Sequence, residues 1–203
     1  MDLERLRREF RARHIDYYPA IDSTMRAAVG LEQGSVVLAG EQTAGQGRHG
    51  RRWHSEPASG IYCSIVLKPA PTLTLALGLA TAEAIARSTG LLCDLRWPND
   101  VMLAGKKVAG ILVHVADGNA IAGIGINVNQ TSFPPELAPE ATSLCLHTGA
   151  RGGPGLRSAR RPAPPSPAPG QPRRAWWNRW PGSNRWAARG IRAADGRDPS
   201  GHL

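Results

Sequence analysis

Apolar and polar positions follow two different periods as far as about residue 148. Leu3, Leu6 and Phe10 fall at helical spacing among charged neighbours, so residues 2–12 read as a short amphipathic helix. Asp22, Ser23 or Thr24 stands where a helix running to about Val29 needs its N-cap. Residues 35–41 and 61–67 are apolar runs stopped by turn formers, and they read as buried strands. Residues 73–88 are rich in Ala and Leu, apolar nearly all round and followed by Gly90; they suit a helix buried against a sheet. Residues 92–97 form a short strand leading into a tight polar turn at Pro98-Asn99-Asp100, and residues 101–103 lead to a further turn at Gly105. Residues 107–115 and 120–128 are two β-rich runs joined by Asp117-Gly118-Asn119, a hairpin signal. Their Gly110, Gly123 and Gly125 leave room for a close approach to the backbone.

Residues 40–55 interrupt this pattern with four glycines and three arginines between two apolar runs. Gly45, Gly47 and Gly50 spell GxGxxG, but a dinucleotide fingerprint needs an apolar helix after it. Arg51, Arg52, Trp53, His54 and Pro57 follow instead, so the stretch reads as a Gly/Arg loop. Backbone N–H groups and guanidinium forks together suit an anionic ligand.

The formal charge of +9 over 203 residues suggests nucleic acid until it is located. Residues 1–149 carry as many acidic as basic side chains; residues 150–203 carry eleven Arg against Asp195 and Asp198, which is the whole excess. That tail also holds nine of the 17 prolines and four of the six tryptophans, with no period of either kind. Such a composition cannot bury enough apolar surface to offset the entropy of ordering it. Two readings stand: a basic arm able to bind nucleic acid, or a GC-rich coding region read out of frame. Cys63, Cys93 and Cys145 are scattered and the six His are dispersed, so neither a disulfide framework nor a zinc site is indicated. No run approaches a membrane span or a signal-peptide core, and a reducing, cytoplasmic setting is expected.

Five segments then line up in order: Asp22-Ser23-Thr24; the run Glu41 to Trp53; Arg96-Trp97-Pro98-Asn99-Asp100; the run Lys107 to Leu112; and Gly123-Ile124-Gly125-Ile126-Asn127. Together they resemble the catalytic domain of biotin protein ligases, over about residues 15–148. The resemblance implies an α+β fold, a mixed β-sheet with helices packed on one side. It implies a catalytic domain over residues 1–148, incomplete at its C-terminal end, and a separate tail over residues 149–203. It also implies ATP and biotin as substrates with Mg2+, and formation of biotinyl-5′-AMP. The expected partner is a biotin carboxyl carrier protein, a subunit or domain of acetyl-CoA carboxylase, whose lysine takes the biotin. A homodimer is left open, no membrane is expected, and nucleic acid is not an expected partner. With no room before Asp22 for a helix-turn-helix domain, the chain resembles the ligase-only type. Related lipoate ligases share the fold, but the Gly/Arg loop resembles the biotin branch.

Carried onto this chain, the resemblance assigns Lys107, Arg48 and Asp100 to catalysis. Lys107 reaches the biotin carboxylate and α-phosphate, and Asp100 either orients Lys107 or helps hold the metal; no protein metal ligand is assigned. The biotin side comprises Ser23, Thr24, Gln42, Gly45, Gln46, Gly47, Arg48, Lys107, Gly110 and Trp97. The nucleotide side comprises Arg48, Gly50, Arg51, Trp53, Lys107 and Asn127. Ser23, Thr24 and Gln42 are neutral, which suits a ureido ring carrying one carbonyl and two N–H groups. Two departures stand inside the matched region: Met25 where the family often has asparagine, and Gln46 where many members have arginine.

Overall fold

A computed structural model describes residues 3–9 and 14–149, all within one compact unit, Met1–Arg161. The tail expected over 149–203 lies, apart from Gly149, outside the described residues.

Seven strands form one sheet in the order β1-β2-β3-β7-β6-β5-β4. They are β1 (Ile15–Tyr18), β2 (Val36–Ala39), β3 (Gly60–Leu67), β4 (Asp94–Arg96), β5 (Asp100–Leu103), β6 (Lys106–Ala116) and β7 (Asn119–Asn127). β1 runs parallel to β2 and every other neighbour pair is antiparallel, so the sheet is mixed. Among the described residues four α-helices accompany it: α1 (Leu3–Glu9), α2 (Thr24–Ala27), α3 (Leu73–Thr89) and α4 (Leu144–Thr148).

Local chemistry sets the turns. β6 and β7 close through Asp117 and Gly118, both left-handed with φ of 50° and 75°, the backbone that a two-residue hairpin of native twist requires. β5 and β6 close the same way through Ala104 and Gly105, with φ of 50° and 79°. α3 stops at Gly90, which takes φ 76° and returns its N–H to Ala86 O at 2.8 Å.

Side chains alternate across the sheet, which gives its two faces different work. Ala109, Ile111 and Val113 of β6 pack with Ile85 of α3, Val101, Leu103, Val128 and Leu144 in one apolar cluster. The intervening positions Gly110 and Leu112, with their partners Gly125 and Gly123, belong to the other face. There Met25 and Ala28 gather Val37, Val66 and Ile121 into a second cluster. The one long helix, α3, therefore covers one face. The single turn α2 stands beside the site on the other.

α3 packs against the sheet as expected, but its apolar residues are not all covered. Gly78, Thr81 and Ile85 are buried, whereas Leu75 is exposed, because only one side of the helix meets the sheet. β1 is a strand that the sequence pattern did not reveal. Among the described residues no helix is long and apolar enough to cross a membrane.

Candidate active site

The site is built on three glycines. Gly110 pairs with Gly125, and Leu112 pairs with Gly123, so the middle of β6–β7 presents bare backbone on the face away from α3. The indole of Trp53 lies on this floor. A Cβ at Gly125 would meet Trp53 Cε2 at 2.4 Å, and one at Gly110 would meet Cζ3 at 2.9 Å. Two residues along the strand, about 7 Å away, Met25 covers Gly123, where a Cβ would meet Sδ at 2.8 Å.

Trp53 is delivered by the Gly/Arg loop, which is a small hairpin. Trp53 N donates to Gly45 O at 2.9 Å, Gly47 N donates to Arg51 O at 2.7 Å, and Gln46 bridges to Arg52. Its tip is a single 3-10 turn, Arg48–Gly50, with His49 at φ 57° and Gly50 at φ 72°. The GxGxxG spelling thus makes a tight hairpin with no helix behind it, as the loop reading expects. Gly45 is buried at the back of the hairpin, while Gln46 and Gly47 line the cavity beneath it. Gly50 faces the hairpin's solvent side, and Arg52 turns back to donate to Thr43 O at 2.7 Å.

Lys107 owes its direction to a β-bulge. Asp100 pairs with Gly110 and faces the site. Lys107 is three residues from Gly110, and by simple alternation it belongs on the opposite face. The register shifts between Val101 and Met102, so Lys107 pairs with Met102 and joins Asp100 on the site face. Its Nζ lies 2.7 Å from Asp100 Oδ1 and 5.3 Å from the centre of the Trp53 ring. Arg96 Nη2 approaches the same carboxylate at 2.8 Å, on Oδ2. Burial pushes the Asp100 carboxyl up, but hydrogen bonds and charge from Lys107 and Arg96 outweigh it and hold the group below its usual value. Each carboxylate oxygen thus faces a cation, Oδ1 the Lys107 ammonium and Oδ2 the Arg96 guanidinium. Among the described residues no group of three or more His, Cys, Asp or Glu could hold a metal ion.

The neutral end of the site lies by Gly123. Thr24 donates to Gln42 Oε1 from its backbone N at 2.9 Å and from Oγ1 at 3.0 Å. Thr24 Oγ1 also lies 2.8 Å from Oγ of Ser64, the residue paired with Gly123 on β3. Gln42 is steadied in turn by Ser55, through Nε2 at 3.4 Å. Ser23 occupies the N-cap position of α2, yet its side chain makes no cap bond; Oγ is buried and has no partner. Trp53 Nε1 is likewise buried without a partner.

Two concavities result. An inner cavity of about 50 Å³ is lined by Thr24, Gln42, Trp53, Lys107, Gly110 and Gly125, among others. That is well below the roughly 150 Å³ that takes one benzene, because the Trp53 indole fills the glycine floor. An outer cleft of about 340 Å³ is lined by Arg48, Arg51, Asp100, Asn127 and the outer sides of Trp53 and Lys107. Asn127 is buried in its wall, with Nδ2 donating to Thr142 O at 3.0 Å. Trp97 departs from expectation. It is 79% exposed, lines the outer cleft and does not line the inner cavity.

Ser64 and Asn99 were missed from sequence. Ser64 had a signal, as a hydroxyl among apolar neighbours in its strand; Asn99 stood in the turn and in the segment Arg96 to Asp100 that carries the resemblance, without a role of its own. Cys63 also lines the inner cavity, but burial pushes its thiol up to about 12, so it is no nucleophile at neutral pH.

The site is thus a glycine floor on a mixed sheet, with a Gly/Arg hairpin over it and a lysine turned inward by a bulge. The chain belongs to the Biotin/lipoate A/B protein ligase family, whose model matches residues 17–130. It is 40% identical over 162 residues to the bifunctional ligase/repressor BirA of Bacillus spizizenii, covering 71% of this chain and 50% of that one. It is 40% identical over 138 residues to the biotin–[acetyl-CoA-carboxylase] ligase of Mycobacterium tuberculosis, covering 61% and 50%. Among solved structures it is similar to the Aquifex aeolicus biotin protein ligase in complex with biotin and ATP. That match has a TM-score of 0.65 and 37% identity, over 69% of this chain and 63% of that one. The chain spans about half the length of the curated relatives it matches.

Proposed function

We propose that this chain activates biotin with ATP to biotinyl-5′-AMP and transfers the biotinyl group to a lysine of a biotin carboxyl carrier domain, in the cytoplasm. One observation carries the reading. The glycine floor has cationic Lys107 and Arg48 at one end and neutral Thr24, Gln42 and Ser64 at the other. Biotin has the same polarity, a carboxylate at one end and an uncharged ureido ring at the other. The family includes lipoate ligases, but a dithiolane ring has no N–H or carbonyl to offer the buried Ser23 Oγ, which has no partner in the chain, and leaving such a hydroxyl unpaired is costly.

In the first step a biotin carboxylate oxygen attacks the α-phosphorus. A P–O bond forms, the bond to the bridging oxygen breaks, and pyrophosphate leaves. Lys107 and Arg48 screen the repulsion between the two anions and hold the charge that grows on the phosphorus oxygens. Asp100 keeps Lys107 aimed at that point. Arg51 and the wall at Asn127 lie on the side where the nucleotide extends. Magnesium arrives with ATP as part of the substrate, on phosphate oxygens. In the second step the carrier lysine's neutral amine attacks the acyl carbon. A C–N bond forms, the mixed anhydride C–O bond breaks, AMP leaves and the amine gives up a proton. No nucleophile from this chain is needed.

The test is labelling of a carrier domain by the full 203-residue chain. Labelling that needs both biotin and ATP is the expected result. Folded protein that binds biotin but labels nothing would mark an inactive ligase. Calorimetric binding of lipoate in preference to biotin would move the chain to the lipoate branch.

A further inference from the structure

Asn99 sits in the turn between β4 and β5 and is tied to β6 by two bonds. Ile111 N donates to Asn99 O at 2.9 Å, and Asn99 Nδ2 donates to Ile111 O at 3.1 Å. These bonds fix the side chain and leave Oδ1 for another partner. Arg48 Nη1, from the tip of the hairpin, donates to that oxygen at 3.3 Å. Both residues line the inner cavity, the outer cleft and a third groove of about 250 Å³ near the start of α3. Their bridge therefore stands where the three spaces meet.

The hairpin thus meets the sheet at an apolar point, Trp53 on the glycines, and at a polar one, Arg48 on Asn99. An amide oxygen is neutral. It holds a guanidinium without cancelling its charge, so Arg48 keeps its attraction for an arriving carboxylate or phosphate. A carboxylate at position 99 would pair with the arginine and compete with that anion. A bond of 3.3 Å is also long enough to be given up readily.

We propose that Asn99 is a positioning residue that acts through Arg48. It fastens the Gly/Arg hairpin over the glycine floor and holds Arg48 where substrate anions must arrive. The catalytic part of this role rests on the ligase reading of the site; the mechanical part does not.

Hydrogen exchange on the full chain without substrate tests the mechanical part. Amides of residues 45–53 should exchange about fivefold faster in Asn99→Ala and in Arg48→Ala, with β7 amides unchanged. Arg48→Ala leaves the bonds between Asn99 and Ile111 intact, so it decides the matter alone if Asn99→Ala does not fold. Unchanged exchange of 45–53 in Arg48→Ala overturns the proposal. Adenylation kinetics test the catalytic part. Asn99→Ala should lower kcat/KM for biotinyl-AMP formation about tenfold in the wild-type background and less than about twofold beside Arg48→Ala. Equal losses in both backgrounds would mean that Asn99 acts through the fold and not through Arg48. Asn99→Asp should raise the KM for ATP about tenfold; an unchanged KM removes the role assigned to a neutral acceptor. If wild type forms no biotinyl-AMP, the ligase reading fails, while the exchange result still decides the latch.

Discussion

The indole of Trp53 occupies the space that a side chain at Gly125 would need, with a Cβ there meeting Cε2 at 2.4 Å. Real Cβ contacts do not come so close, so Gly125→Ala must displace the ring. The strand itself has no reason to move, because Gly125 keeps its ladder partners Tyr62 and Gly110. The strain, about 1–3 kcal/mol for an overpacked site, falls on the hairpin. Gly125→Ala is expected to keep its thermal midpoint within a few degrees of wild type while biotin affinity falls about tenfold or more. Calorimetric titration beside a thermal melt checks both. Undiminished biotin affinity would show that Trp53 does not cover the ligand site.

Asp100 supplies a pH signature. Its folded carboxyl lies below the ordinary aspartate value of 3.8, so its contribution to stability is complete above that value and is lost as pH falls through the lower folded one. Asp100→Asn removes the contribution and leaves Lys107 and Arg96 without their carboxylate. At neutral pH the variant should be less stable by roughly 2 kcal/mol. The gap from wild type should close as the pH drops below 3.8. Urea unfolding at pH 7 and in acid measures the two differences. A gap that is the same in acid contradicts the pairing.

Much of this was legible because it is local. Asp117-Gly118 announced its hairpin through backbone preference, and Gly90 ended α3 for the same reason. The resemblance offered two roles for Asp100, one of them beside Lys107, but no sequence period reveals the bulge at Val101/Met102 that turns Lys107 to the site face. β1 escaped notice because its four residues IDYY neither alternate nor form an apolar run, and its partner β2 is a distant parallel strand. Asn99 escaped for a related reason. Its side-chain bonds reach 12 residues forward and 51 back, and only the fold brings those partners together. Trp97, which the resemblance placed on the biotin side, is exposed and lines the outer cleft, and nothing local in the sequence announces that placement.

Ser23 separates a structural role from a binding one. Its Oγ is fully buried, caps nothing and has no partner, so the free protein bears the cost of an unsatisfied hydroxyl, roughly 1–3 kcal/mol. Ser23→Ala should leave the unliganded protein as stable as wild type or more so. If the hydroxyl waits for a ureido group, the same change should weaken biotin binding about tenfold. Destabilisation without loss of biotin affinity would assign Ser23 to the fold alone.

Gln46 is the residue at which the hairpin itself can be improved. It lines the inner cavity, and its backbone bridge to Arg52 leaves the side chain free to vary without breaking the hairpin. An arginine there adds a cation beside Lys107 and Arg48, facing the carboxylate and phosphate that become the mixed anhydride. One charge-assisted hydrogen bond is worth about 1.5–3 kcal/mol, enough to change retention of an intermediate by about tenfold or more. Gln46→Arg is therefore expected to slow release of biotinyl-AMP, or to speed its formation, with no change in the thermal midpoint. Filter retention of the labelled adenylate measures the first and single-turnover kinetics the second. If neither rate moves, the cavity wall at position 46 is not in contact with the anionic end of the ligand.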